Sequence, residues 1–152
     1  MVDVFSPEKR SQVMSRIRGR GNKDTEVALA RLFRHHRISG WRRHQPIVGR
    51  PDFIFREHRV AVFVDGCFWH RCPKHSNIPA NNRKFWETKL SANVKRDRAV
   101  SAALKNSHWQ VIRVWEHDLR AKPLWCIRKI LAALHAHRPG HKLGAAERGR
   151  VK

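Results

Sequence analysis

Gly49-Arg50-Pro51-Asp52-Phe53-Ile54-Phe55-Arg56-Glu57-His58-Arg59-Val60-Ala61-Val62-Phe63-Val64-Asp65 decides the fold. Residues 52–56 and 59–65 read as two strands joined by a turn at Glu57-His58. The run 60–64 is wholly apolar, as a central strand buried on both faces requires. Pro51 cannot donate to a ladder, so it belongs at a strand start. Working outward, residues 41–47 form a further candidate strand, and Asp24 or Thr25 caps a helix running to about His36. Leu29, Leu32, Phe33 and His36 share one side of that helix. Glu26 projects close to Phe33, so an acid leans toward the core and needs a reason to be there. Upstream, Ser6-Pro7-Glu8 opens a helix over 6–15. Downstream, a long helix over 82–106 is capped by Asn81 or Asn82, with Trp86, Leu90, Val94, Val100 and Leu104 as its stripe. A strand at 109–115 and a helix at 124–136 follow. The order predicts an α/β fold, a single mixed β-sheet flanked by helices. Residues 1–137 form the domain, with 1–23 a basic segment, and 138–152 a basic tail expected to be disordered.

The 152 residues suit one core. Lys and Arg number 33 against 12 Asp and Glu, a formal net charge of +21, and such an excess points to a polyanionic partner. A ribosomal or chromatin-type packing role fits the charge equally. The Gly-punctuated loop 15–23, with Arg16, Arg18, Arg20 and Lys23, suits a phosphate backbone, as do Arg42 and Arg43. No apolar run resembles a signal peptide or a membrane span, so no membrane partner and a cytoplasmic, DNA-associated location are expected. High charge and small size point to a monomer.

A two-residue turn sets Asp52 opposite Phe63 and puts Asp65 on the same face, one diagonal step away. Two carboxylates about 7–8 Å apart suit one hard divalent cation such as Mg²⁺. A three-residue turn would instead bring Asp52 beside Val64, whose carbonyl could join the metal. The plainer alternative is that Asp52 caps a turn and Asp65 begins one.

Cys67-Phe68-Trp69-His70-Arg71-Cys72-Pro73-Lys74-His75 offers three soft or borderline ligands, and structural zinc wants four. His117, just past the 109–115 strand, can supply the fourth if that strand neighbours 59–65. A Cys67–Cys72 disulfide is disfavoured in a cytosolic chain. Cys126 reads as a core residue. Phe68 and Trp69, inside the same loop, are placed to wedge into a base stack. Trp86 fits that role and core packing equally. His70, spare if the tetrahedron is full, is a candidate general base, or else a phosphate contact.

Taken together, Gly49–Phe53, Val64–His75, Phe85-Trp86, Asn93 with Arg96-Asp97-Arg98, and Val114–His117 resemble the very-short-patch-repair (Vsr) DNA mismatch endonucleases, over about residues 6–134. The resemblance implies a restriction-endonuclease-like fold and Mg²⁺-dependent nicking on the 5′ side of the thymine in a T:G mismatch, the product of 5-methylcytosine deamination. It implies Asp52 as Mg²⁺ ligand with the Val64 carbonyl assisting, His70 as general base and Glu26 as an active-site acid. Phe68, Trp69 and Trp86 correspond to intercalating aromatics, and Cys67, Cys72, His75 and His117 to zinc ligands. It also raises mismatch-repair proteins and a cytosine-5 DNA methyltransferase system as further partners. The chain departs from the wider nuclease pattern at Cys67, where a lysine is usual, and at Asp65, where some members carry histidine, which leaves the catalytic role of Asp65 open. The rival readings are a nicking enzyme of relaxed specificity, a non-catalytic zinc-containing DNA-binding module, and an RNA-binding protein.

Overall fold

The computed structural model describes residues 25–137 together with Ser6 and Glu8. The rest of the expected 6–15 helix, the basic loop with Arg16, Arg18, Arg20 and Lys23, the Asp24 cap and the tail from Arg138 lie outside the described residues. In chain order the elements are α1 (Glu26–His35), β1 (Trp41–Arg43), β2 (Phe53–Phe55), β3 (Val60–Asp65), α2 (Arg83–Asn106), β4 (Gln110–Trp115), α3 (Glu116–Ala121) and α4 (Pro123–Ala136).

The strands form a four-stranded sheet in the order β1-β2-β3-β4. The first two pairings are antiparallel, and β3 pairs parallel with β4 through the crossover that carries α2. Phe53 pairs with Val62 and Phe55 with Val60, the register that a Glu57-His58 turn demands. Arg59 N–H donates to the Arg56 carbonyl at 3.2 Å and closes that turn. All six residues of β3 are buried, as its apolar run and its place between β2 and β4 require.

Alternation along the strands sorts the side chains into two cores. Phe53, Phe55, Val62, Val64, Ile112 and Val114 face α1, α3 and α4, meeting Leu29, Phe33, Leu119, Ile127 and Ile130. Phe33 packs edge-on against Phe53 and Phe55, with ring centroids 5.1 and 5.6 Å away. On the opposite face Ile54, Ala61 and Phe63 meet Leu104 and Val100 of α2. The sheet is thus covered on both sides, the layering expected from the sequence.

Several boundaries differ from the sequence reading. The strand expected over 41–47 ends at Arg43, because His44 adopts a left-handed φ of 49° and the chain leaves the sheet. Strand β2 is shorter than 52–56 at both ends, since Arg56 enters the turn and Asp52 spends its carboxylate on Val64 N–H at 2.7 Å. Helix α3 was not anticipated; six residues with Leu119 alone buried give no readable period. Thr25 and Asn82 stand at the N-caps of α1 and α2 as expected, but neither side chain makes a capping hydrogen bond. No helix among the described residues is long and apolar enough to cross a membrane.

Candidate active site and metal centre

Strand alternation turns Asp52, Asp65 and Arg113 toward α2, the same side as Ile54, Phe63 and Val111. They meet Asp97 of α2 and His70 of the loop after β3 around a cavity of about 330 Å³, which Arg50 and Val64 also line. The approach to Asp52 is built by backbone conformation. Gly49 and Arg50 take left-handed φ values of 73° and 47°, and a side chain on Gly49 would collide with Val100 of α2. Pro51 follows, and Asp52 enters at the sheet edge.

Asp52 differs electrostatically from the buried acids Glu26 and Asp65. Burial pushes its carboxyl from 3.8 up to about 6; the Val64 N–H opposes the rise, Glu26 and Asp65 add to it, and His70 opposes it. Among the described residues no cationic side chain lies within ion-pair distance of Asp52. Glu26, by contrast, is 3% exposed and held by Arg43 at 3.1 Å and His44 at 3.2 Å. Continuing the β2–β3 register sets Val64 opposite Pro51, which has no N–H, so β2 offers the Val64 carbonyl no ladder bond. A half-buried acid short of positive charge beside an oxygen without a ladder partner is a donor pair suited to a hard cation.

His70 Nδ1 lies 2.6 Å from Asp97 Oδ2 and 3.9 Å from Asp65 Oδ1. The short contact fixes the ring through Nδ1 and leaves Nε2 outside that pair. Asp65 does not sit open beside Asp52; both its oxygens take the Arg113 guanidinium, at 2.9 and 3.0 Å. Asn93 of α2 donates to the Trp69 carbonyl at 3.2 Å and braces the loop.

Because β3 and β4 run parallel with Asp65 level with Trp115, Cys67 and His117 emerge at one edge. Cys67, Cys72, His75 and His117 present ligand atoms all within 4.8 Å of one another. His117 Nδ1 is 3.2 Å from Cys67 Sγ and 3.6 Å from Cys72 Sγ, and His75 Nδ1 is 3.6 Å from Cys72 Sγ. A tetrahedral zinc with bonds of about 2.3 Å to sulfur and 2.0–2.1 Å to nitrogen sets a sulfur–nitrogen edge of roughly 3.6 Å, so the donor set fits. The cysteines are not joined by a disulfide. Burial pushes the Cys67 thiol up to about 11, a proton that a bound cation would displace. Outer contacts support the cluster: His117 Nε2 lies 3.3 Å from Asp118 Oδ1, and Glu116 Oε1 accepts Cys67 N–H at 2.9 Å.

Phe68, Trp69 and Trp86 form one aromatic cluster. Phe68 meets Trp69 and Trp86 edge-on at 5.1 and 5.4 Å. Phe68 and Trp69 are half-buried, whereas Trp86 is 6% exposed and packs as part of the protein interior; its neighbour Phe85 is 54% exposed. Arg42 points to solvent, but Arg43 turns in toward Glu26, so only Arg42 of that pair is presented outward. Cys126, on the inner face of α4, is buried in the core.

The sequence reading missed roles for Asp97, Arg113, Glu116 and Asp118. Asp97, Glu116 and their neighbours stood in recognisable motifs, but only the fold shows what they touch. Arg113 carried one signal, a cation inside the otherwise apolar stretch Gln110–Trp115.

A family model described as DNA mismatch endonuclease Vsr matches residues 2–76. The Type II nicking enzyme V.NaeI of Lentzea aerocolonigenes is 41% identical over 113 residues, covering 72% of this chain and 68% of that protein. The Type II nicking enzyme V.NmeDIP of Neisseria meningitidis serogroup C is 35% identical over 140 residues, covering 88% and 90%. The DNA mismatch endonuclease Vsr of Escherichia coli (strain K12) is 35% identical over 125 residues, covering 80% and 78%. On these likenesses, and with an acid–histidine cleft beside a four-donor Cys/His cluster, the chain belongs to the Vsr family of DNA endonucleases.

Proposed function

We propose that this protein is a Mg²⁺-dependent endonuclease that nicks one strand of duplex DNA on the 5′ side of the thymine in a T:G mismatch, and that it carries a structural zinc. The observation that carries this reading is Asp52, a half-buried carboxylate raised to about 6 with no cationic side chain within ion-pair distance among the described residues, sharing a cavity with a histidine aligned by a second acid. Asp52 and the Val64 carbonyl would hold Mg²⁺. A bound divalent cation supplies polarisation of the phosphate and stabilisation of charge on the leaving oxygen. His70 takes the proton of the attacking water at Nε2, while Asp97 holds Nδ1 and supports the imidazolium that results. Glu26, locked by Arg43 and His44, lies near enough to Asp52 to raise its affinity for a cation.

Cys67, Cys72, His75 and His117 would hold zinc, which ties the aromatic loop to the edge of the sheet and so fixes Phe68 and Trp69 as the wedge. A mismatched pair costs less to unstack than a good one, so part of the selectivity lies in the DNA itself. Trp86 supports the wedge from beneath. The basic segment 1–23 and Arg42 would neutralise backbone phosphates. The mixed sheet, with an acid entering at the start of β2, supports a restriction-endonuclease-like fold. Residues 1–137 would form one endonuclease domain, and the protein would act as a monomer on DNA in the cytoplasm.

A second reading is a nicking enzyme of different specificity, favoured by the relatives whose names give nicking without mention of a mismatch. A strand-specific nicking assay over all mismatches in several flanking contexts separates the two. The proposal expects T:G to be cut far faster than matched DNA and other mismatches. Equal cutting of matched duplexes supports the second reading, and binding without cutting overturns both.

A further inference from the structure

We propose that Arg113 is the positioning residue of the cleavage site, holding Asp65 as a counter-ion and steering Asp97 onto His70. The inference rests on the reading of His70 as the proton acceptor given above.

His70 Nδ1 stands between two acids, Asp97 at 2.6 Å and Asp65 at 3.9 Å. Left free, both carboxylates would compete for the same ring nitrogen, and each would give the imidazole a different orientation. Arg113 decides between them. Its Nη1 donates to both oxygens of Asp65, at 2.9 and 3.0 Å, a charge-assisted contact in which one guanidinium nitrogen keeps both carboxylate oxygens turned to Arg113. Its Nη2 donates to the Asp97 carbonyl at 3.3 Å and lies 3.8 Å from Asp97 Oδ1, the oxygen that does not face His70. The same guanidinium therefore commits Asp65 and draws on the far side of Asp97, leaving Asp97 Oδ2 for the imidazole.

Arg113 is itself fixed on every side. Its Nε donates to Ser101 Oγ at 3.4 Å, and its guanidinium carbon sits 4.5 Å from the centroid of the Phe63 ring. Lys129 of α4 donates to its main-chain carbonyl at 2.9 Å. All three guanidinium nitrogens are engaged within the protein, so Arg113 acts through Asp65 and Asp97 rather than by gripping a DNA phosphate. The chain thus assigns its two central acids different jobs: one is neutralised by Arg113, the other orients the base.

The test is a double-mutant cycle on the full chain with zinc retained, using R113M, D97N and R113M/D97N, with R113K as the conservative variant. At saturating Mg²⁺ on a T:G duplex, R113M should lose about 30- to 100-fold in kcat, the scale of a mispositioned catalytic group, with KM changed little. If Arg113 works through Asp97, the double variant falls no further than the lower single variant; losses that multiply would overturn the proposal. R113K, which keeps the charge but not the fork, should recover part of the loss and report that the fold survives. A second readout needs no cleavage. In the zinc-retaining protein without Mg²⁺ the imidazole Nδ1 proton of His70 should give a downfield, carboxylate-bonded NMR signal, assigned by its absence in H70N. That signal should shift or vanish in R113M; if it stays unchanged, Arg113 does not position the pair. Failure of the wild type to nick any duplex would sink the cleavage reading, while the NMR arm would still decide whether Arg113 aligns Asp97 and His70.

Discussion

Replacing Asp52 by Asn should make the protein more stable at pH 8 in the absence of added divalent cation. Burial lifts the Asp52 carboxyl from 3.8 to about 6. A folded-state value above the unfolded one means that the native state binds protons the unfolded state has released, so stability falls as pH rises across that interval. The loss sets in above about pH 4 and is complete once pH passes about 6. A rise of roughly two units corresponds to about 3 kcal/mol when the carboxyl is fully ionised. Asparagine removes the charge and keeps an oxygen for Val64 N–H, although that bond weakens when it is no longer charge-assisted. The net gain should be about 1–3 kcal/mol, or about 3–8 °C in Tm for a chain of this size. Thermal melts of both proteins from pH 4 to pH 8, in magnesium-free buffer without chelator so that any metal at the Cys/His cluster is kept, measure it. The difference should vanish at the acid end. Adding Mg²⁺ should stabilise the wild type by about 2.7 kcal/mol at a hundred times Kd, seen as a higher Tm, and leave Asp52→Asn unmoved. Equal stability at pH 8, or the same Mg²⁺ response in both proteins, would refute the idea that this carboxylate waits for a cation.

The purified chain should contain about one zinc by elemental analysis, and Cys72→Ser or strong chelation should unlatch the loop 66–76, read as a lower melting temperature and increased proteolysis there. Phe68→Ala and Trp69→Ala should reduce cleavage of T:G duplexes at least tenfold with little change in melting temperature, whereas Trp86→Ala, which empties a buried site, should cost about 3–5 kcal/mol in chemical denaturation. Gly49→Ala should destabilise by about 1–3 kcal/mol and lower kcat, because the left-handed φ and the collision with Val100 both displace the lead-in to Asp52; an unchanged melt and rate would show that the loop tolerates the shift.

What could be read in advance follows from the range of the interactions involved. The hairpin register was legible because Pro51, the Glu57-His58 turn and the apolar run 60–64 are all local. The Cys/His set was legible for a related reason: three donors lie within nine residues, and a parallel β3–β4 pairing brings His117 to them. Glu26 was flagged as an acid leaning inward, and it is buried. What stayed hidden were choices among partners far apart in sequence. Asp65 read as a mate for Asp52, yet an arginine 48 residues away takes both its oxygens. Asp97 lies on the long helix at 27 residues from His70, and nothing in its local pattern tells which side chain it will meet. Trp86 was ambiguous at helical spacing, and its burial depends on how the Cys/His loop folds over it. Arg43 read as a phosphate contact, but strand alternation turns it toward Glu26.

The most direct test of the central claim is the Mg²⁺ dependence of nicking on a single T:G duplex, with the cut mapped on each strand, for the wild type and Asp52→Asn side by side. The wild type should cut only the thymine strand, 5′ of the mismatched base, with a rate that saturates in Mg²⁺ and disappears when Mg²⁺ is withheld, while Asp52→Asn binds the duplex and leaves it intact. Cleavage by Asp52→Asn at the wild-type rate, or cutting by the wild type that ignores Mg²⁺, would contradict it.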